Sequence, residues 1–132
     1  MKLSTKARYG LKACFILALS KDNLLTLSEI SARTRVTPKY LEKLLNMLIK
    51  NGIVKSTRGL YGGYSLSKNP SEISIGEIFR ALEDNLEITA CVSDDCDDEY
   101  CPNRNILKKL YNGINDLLDS HSLQDLIDDY KC

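Results

Sequence analysis

The sequence predicts a mostly helical fold with one small β-hairpin, and three observations carry that prediction. Two helix starts, at Thr26 and at Thr37-Pro38, follow each other closely; short extended runs flank a Gly-rich turn; and apolar residues recur at helical spacing after residue 104. A chain of 132 residues is long enough for one hydrophobic core and too short for two ordinary domains. Its hydrophobic fraction is 43%, and no run approaches the apolar length of a membrane span. The start, MKLSTKARYGLK, places Lys and Arg where a signal peptide needs an apolar stretch. A cytoplasmic chain with no membrane partner is therefore expected.

Each element has a local cause. Ser4 and Thr5 can cap a first helix whose apolar positions are Ala7, Leu11, Cys14, Phe15 and Ala18, ended by Lys21-Asp22-Asn23. Thr26 with Glu29 makes a capping box for a short second helix, followed by the turn Thr34-Arg35-Val36. Thr37 caps a third helix with Pro38 at its first position, where a missing N–H costs nothing. Its residues Leu41, Leu44, Leu45, Leu48 and Ile49 form one apolar stripe, its other face is polar, and Gly52 is a good stop. Residues 53–67 read as a hairpin around RGLYGG. Ser74 and Glu77 box a helix burying Ile75, Ile78, Phe79 and Leu82. Residues 91–103 break all periodicity. A long helix then carries Leu107, Leu110, Tyr111, Ile114, Leu117 and Leu118, and a short one capped by Ser122 carries Leu123, Leu126 and Ile127.

The overall charge of zero conceals an asymmetry. Residues 1–70 hold 13 Lys and Arg against Asp22, Glu29 and Glu42, a net +10, whereas residues 71–132 are net −10. A basic half suits phosphates, and an acidic half suits the side turned away from them. Two short helices joined by a tight turn, then a hairpin, make a winged helix-turn-helix pattern that binds double-stranded DNA. Residues early in the third helix should reach base edges: Thr37, Lys39, Tyr40, Glu42 and Lys43. Glu42 has two open roles, as acceptor for cytosine N4 or as a helix-face neighbour of Asn46 or Lys39. At the hairpin, Arg58 can enter a minor groove, with Gly59 and Tyr61 beside it. The Gly-rich tip lacks the Gly-Lys-Ser/Thr end of a nucleotide-phosphate loop.

The chain resembles the Rrf-two type winged-helix regulators, whose members include IscR-, NsrR- and CymR-like proteins. The resemblance runs from MKLSTKARYGLKA through TPKYLEKLLNMLIKNGIVKSTRG and GGYSL to SIGEIFRALED. It implies a DNA-binding domain over residues 1–83, a Cys- and acid-rich sensor loop over 84–103, and a dimerisation helix with a short final helix over 104–132. By the same resemblance Tyr40, Glu42 and Arg58 match DNA-contacting positions. The family's wing reads Arg-Gly-Pro-Gly-Gly-Gly-Tyr; here Leu60 and Tyr61 replace the proline and the glycine after it. An exposed stripe of Leu107, Leu110, Ile114 and Leu117 separately asks for a partner surface. A twofold homodimer would read a partly palindromic operator with half-sites about one turn, ~10 base pairs, or a multiple of it apart.

Of five cysteines, Cys14 lies on an apolar helix face and is read as core, and Cys132 ends the chain. Cys91, Cys96 and Cys101 are spaced Cys-x4-Cys-x4-Cys, a pattern that in a reducing compartment points to metal or redox chemistry. The resemblance implies that these three hold an iron–sulfur cluster, of the two-iron two-sulfur type, that controls DNA binding. IscR-like members place a histidine three residues after the third cysteine, where this chain has Arg104; the acidic ligand of NsrR-like members corresponds to Arg8. His121 is ~30 Å further along a helix. The fourth ligand is thus open. Crowding by Asp94, Asp95, Asp97, Asp98 and Glu99 raises thiol pKa values and equally favours a cation such as zinc. Zinc binding, thiol oxidation, or control by a protein or small-molecule partner remain alternatives. A thiol enzyme lacks a nearby histidine base or a Cys-x-x-Cys pair, so none is expected.

Overall fold

Ser4 opens the first helix as its sequence requires: its hydroxyl accepts the Ala7 N–H, and α1 runs Thr5–Leu19. The structure, a computed structural model, describes residues 3–21, 23–83, 86 and 101–131. After α1 come α2 (Leu27–Thr34), α3 (Pro38–Lys50), strands β1 (Val54–Thr57) and β2 (Gly63–Leu66), and a 3-10 turn at Pro70–Glu72. Helices α4 (Ile75–Leu82), α5 (Arg104–Ser120) and α6 (Leu123–Lys131) complete the order. No helix among the described residues is long and apolar enough to cross a membrane.

The capping signals differ in outcome. Ser74 and Glu77 form the full reciprocal box at α4. At α2 only the Thr26 half forms, accepting from Glu29 N at 3.2 Å. At α3 the Thr37 side chain makes no capping bond, and Pro38 alone marks the start. At α6 Ser122 caps as expected, accepting from Asp125 N, and Asp125 adds the return bond from Ser122 N, which completes a reciprocal box.

The turn between α2 and α3 is tied from both sides. Arg35 takes the left-handed conformation (φ 60°) that lets the chain reverse. Buried Thr34 donates to Ile30 O at 2.8 Å, and Ser31 Oγ donates to Val36 O. These bonds fix the two helices as one unit.

A second rigid joint links α3 to the hairpin. Ile53 N donates to Leu48 O and Gly52 N to Ile49 O, both at 3.0 Å, the paired bonds of a Schellman helix end. Gly52 has φ +73°, a conformation that only glycine adopts without cost. Leu48 and Ile53, on either side, are both buried, so the exit direction of β1 is set by packing as well as hydrogen bonds. The hairpin pairs antiparallel with Val54 opposite Leu66 and Thr57 opposite Gly63. Its β2 strand is also bridged by Leu25, ahead of α2, through Leu25 N to Tyr64 O (3.1 Å) and Tyr64 N to Leu25 O (2.8 Å).

The core gathers the predicted stripes: Cys14 and Leu17 of α1, Ile30 of α2, Leu41, Leu44, Leu45 and Leu48 of α3, and Ile78 and Leu82 of α4 are all fully buried. Ile75, expected in it, is half-buried. Helix α6 returns to this core, burying Leu123 and Ile127 while packing along α1. Its entry is clamped by Ile75 N to His121 O and Leu123 N to Ile73 O, each 2.8 Å. Helix α5 differs: none of its residues is buried. It is held to α4 by Arg80, which donates to both Asp119 carboxylate oxygens (2.6 and 3.1 Å) and to Asn115 Oδ1 (2.9 Å).

Candidate nucleic-acid interface

Because α3 spends its leucines on the core, its opposite face is pushed outward. Lys39, Glu42, Lys43 and Asn46 are all exposed, with Thr37 exposed at the helix start. The hydroxyl of Thr37 is unused in capping. Tyr40 is half-buried and meets Tyr9 of α1 edge-on, with ring centroids 6.3 Å apart. The Arg8 guanidinium lies 6.0 Å from the centre of the Tyr9 ring. Arg8 and Tyr9 thus flank the start of α3. Their signal in the sequence was a basic-aromatic pair lying off the apolar stripe of the first helix.

The hairpin stands beside this face. The Tyr64 phenol on β2 has its pKa raised by partial burial first and by the negative charge of Glu42 second. Glu42 makes no hydrogen bond or ion pair with another described residue, Asn46 and Lys39 included. Arg58, Gly59 and Tyr61 lie exposed around the hairpin tip.

The charges here are unneutralised. None of the Lys and Arg side chains between positions 3 and 67 forms an ion pair with another described residue. Ion pairing begins at Lys68–Glu77 (3.1 Å) and Arg80–Asp119 (2.6 Å). A surface of unpaired cations around a protruding helix and hairpin suits a polyanion, whose counterions it releases on contact.

The cysteines separate by environment. Cys14 is fully buried, and burial pushes its thiol up to about 12, so it stays a protonated core residue. Cys101 is half-exposed, just ahead of α5, with its carbonyl accepting from Arg104 N at 3.4 Å. Cys91 and Cys96 lie outside the described residues, as does Cys132. Among the described residues no group of three metal-ligating side chains converges.

Comparison with known proteins agrees with this architecture. Residues 3–129 match the family model Rrf2, described as an iron-dependent transcriptional regulator. The chain is 35% identical to the HTH-type transcriptional regulator IscR of Pectobacterium atrosepticum, over 96% of this chain and 79% of that protein. Among solved structures, IscR of T. potens superposes with a TM-score of 0.81 at 34% identity, covering 98% of this chain and 88% of that one. CymR, the global cysteine regulator of B. subtilis, superposes with a TM-score of 0.81 at 35% identity, covering 96% and 95%. With its helix-turn-helix, its hairpin wing and a family match over nearly its whole length, the chain belongs to the Rrf2 family of DNA-binding transcriptional regulators.

Proposed function

We propose that the protein acts as a homodimer on a partly palindromic duplex operator. Helix α3 reads the major groove through Thr37, Lys39, Tyr40, Glu42 and Lys43, while Arg58, Gly59 and Tyr61 of the wing contact the flanking minor groove. The observation that carries this reading is the exposed, unpaired cationic face of α3 and the hairpin. In this reading phosphate contacts from Lys39, Lys43 and Lys55 position the helix, and Tyr40 and Glu42 meet base edges. The apolar outer positions of α5 are the proposed seam between the two copies.

Cys91, Cys96 and Cys101 are the proposed ligands of an iron–sulfur cluster that sets operator affinity. Three thiolates are the donor type such clusters take. Cys101 is half-exposed just ahead of α5, so its thiol is open to a ligand shared with the loop before it. When bound, the cluster would supply a redox-sensitive state. The chain's own contribution is to hold Cys101 at the foot of α5, so that a change in the cysteine loop reaches the proposed dimer seam.

A second reading has support in the CymR likeness: a relative named for cysteine regulation matches this chain as well as IscR does. In that reading the same DNA-binding dimer answers to a partner or to thiol oxidation. The deciding experiment is an ultraviolet-visible spectrum with iron and sulfide analysis on protein purified without oxygen, beside a variant with Cys91, Cys96 and Cys101 changed to Ser. Visible absorption with iron and sulfide, absent from the variant, establishes cluster control. Colourless, iron-free protein that still binds DNA transfers control to a partner or to the thiols.

A further inference from the structure

The wing ends in an arrangement that phosphate binding does not explain. Gly62 N donates to Gly59 O at 3.0 Å, closing a four-residue turn whose two central residues are Leu60 and Tyr61. These side chains are 90% and 88% exposed, more than any other large hydrophobic among the described residues. The turn beneath them is tightly built, since a Cβ on Gly62 would stand 2.1 Å from Thr57 O. Two adjacent apolar side chains are thus presented on a fixed mount, away from every core contact.

Their surroundings identify the occupant. Between Glu42 and Glu72 the chain holds Lys43, Lys50, Lys55, Arg58 and Lys68 and no acid. Arg58 adjoins the turn, and the hairpin follows directly from α3 through the joint at Gly52 and Ile53, which hydrogen-bond back to Ile49 and Leu48. An apolar tip on an acid-free cationic arm beside a groove-sized helix matches the wedge-type minor-groove reader. There cations hold the backbone while an apolar side chain enters between base pairs and kinks the duplex.

We propose that Leu60 and Tyr61 form a minor-groove wedge that partly unstacks one base step in each half of the operator. This rests on the DNA-contacting surface proposed above. It adds a specificity rule that needs no base hydrogen bond. Pyrimidine–purine steps unstack at least cost, so the wing should select TA or CA/TG steps at its point of entry. The phenol of Tyr61 can stay wet at the groove edge while its ring stacks.

The test uses the full chain, purified without oxygen, and duplexes that it selects from a random-sequence pool. A Leu60→Ser, Tyr61→Ser double variant serves as the comparison, with thermal unfolding checked to show that it folds. For the wild type, we expect enriched pyrimidine–purine steps flanking the major-groove half-sites. A 2-aminopurine placed at that step should brighten on binding, and end-to-end energy transfer should report a bend of roughly 20–90°. The double variant should lose the enrichment, the brightening and the bend, and bind about tenfold more weakly. Wild-type binding with no brightening or bend, or a double variant that keeps both, overturns the wedge and leaves the DNA-contacting surface standing. A wild type that selects no duplex overturns both. Co-sedimentation with anionic phosphatidylserine vesicles, lost in the double variant while its DNA bend persists, would reassign the tip to a lipid surface.

Discussion

Helices α3 and α5 carry almost the same apolar pattern and have opposite fates. In α3, Leu41, Leu44, Leu45 and Leu48 are fully buried against α1, α2 and α4. In α5 no residue is buried, and Leu110 and Leu117 are 51% and 60% exposed. Periodicity states that a stripe must be covered, and leaves open by what. For α3 the cover is the chain's own core, and the polar side is released for a polyanion. In α5 only Leu118 packs against that core, and a second copy of the same stripe is the proposed cover for the exposed leucines.

The comparison breaks most sharply on leucine truncation. Leu44→Ala removes a fully buried side chain and should cost about 2–5 kcal/mol, read as a lowered midpoint in urea with unchanged slope. Leu117→Ala should cost under about 0.5 kcal/mol in dilute protein and more as concentration rises, because its proposed cover is intermolecular. A large, concentration-independent loss for Leu117→Ala would mean that α5 is covered within one chain.

The next effect isolates the proposed seam. Leu110→Glu with Leu117→Glu places charge on both exposed leucines without touching the core. Sedimentation should show monomer, and operator affinity should fall on the order of 100-fold as two linked half-site contacts become independent. A dimer that survives the double change would remove α5 from the interface.

Much of this was legible because its causes are local. Ser74 with Glu77, and Ser4 ahead of its helix, act within one turn and appear as the sequence implies. The stop at Gly52 needs only glycine's conformational freedom. What the sequence concealed depends on residues far apart in the chain: the Leu25 bridge to Tyr64, the Tyr9–Tyr40 contact, and the return of α6 onto α1. For the last of these, the spacing of Leu123 and Ile127 names a buried face and no partner. Among the expected contact residues, Lys39, Glu42 and Lys43 were legible as the face opposite the leucines. Arg8 and Tyr9 showed only as a polar-face pair on the first helix, and the packing of α1 on α3 is what brings them there.

A smaller effect tests the unpaired cations. Lys43→Ala should weaken binding to all duplexes about equally and lower the slope of log affinity against log salt by about 0.9, the share of one phosphate. A loss confined to one sequence would instead make Lys43 a base reader.

The smallest expected effect lies at the joint between the two regions. Arg80 extends from α4, which is part of the core, to Asp119 and Asn115 on α5, and the carboxylate holds its guanidinium even more firmly protonated than usual. The pair is well aligned but wet, with Arg80 40% and Asp119 50% exposed, so its free-energy contribution is bounded at about 1 kcal/mol. Arg80→Ala should therefore barely move global unfolding. It should still speed amide hydrogen exchange in α5 selectively, because no residue of that helix is fully buried and Leu118 alone among its leucines packs against the core. In α3, whose leucines anchor it with no ion pair to another described residue, exchange should be unchanged. Equal acceleration in both helices would mean that α5 and the core open as one unit, and that the contrast between them is one of exposure alone.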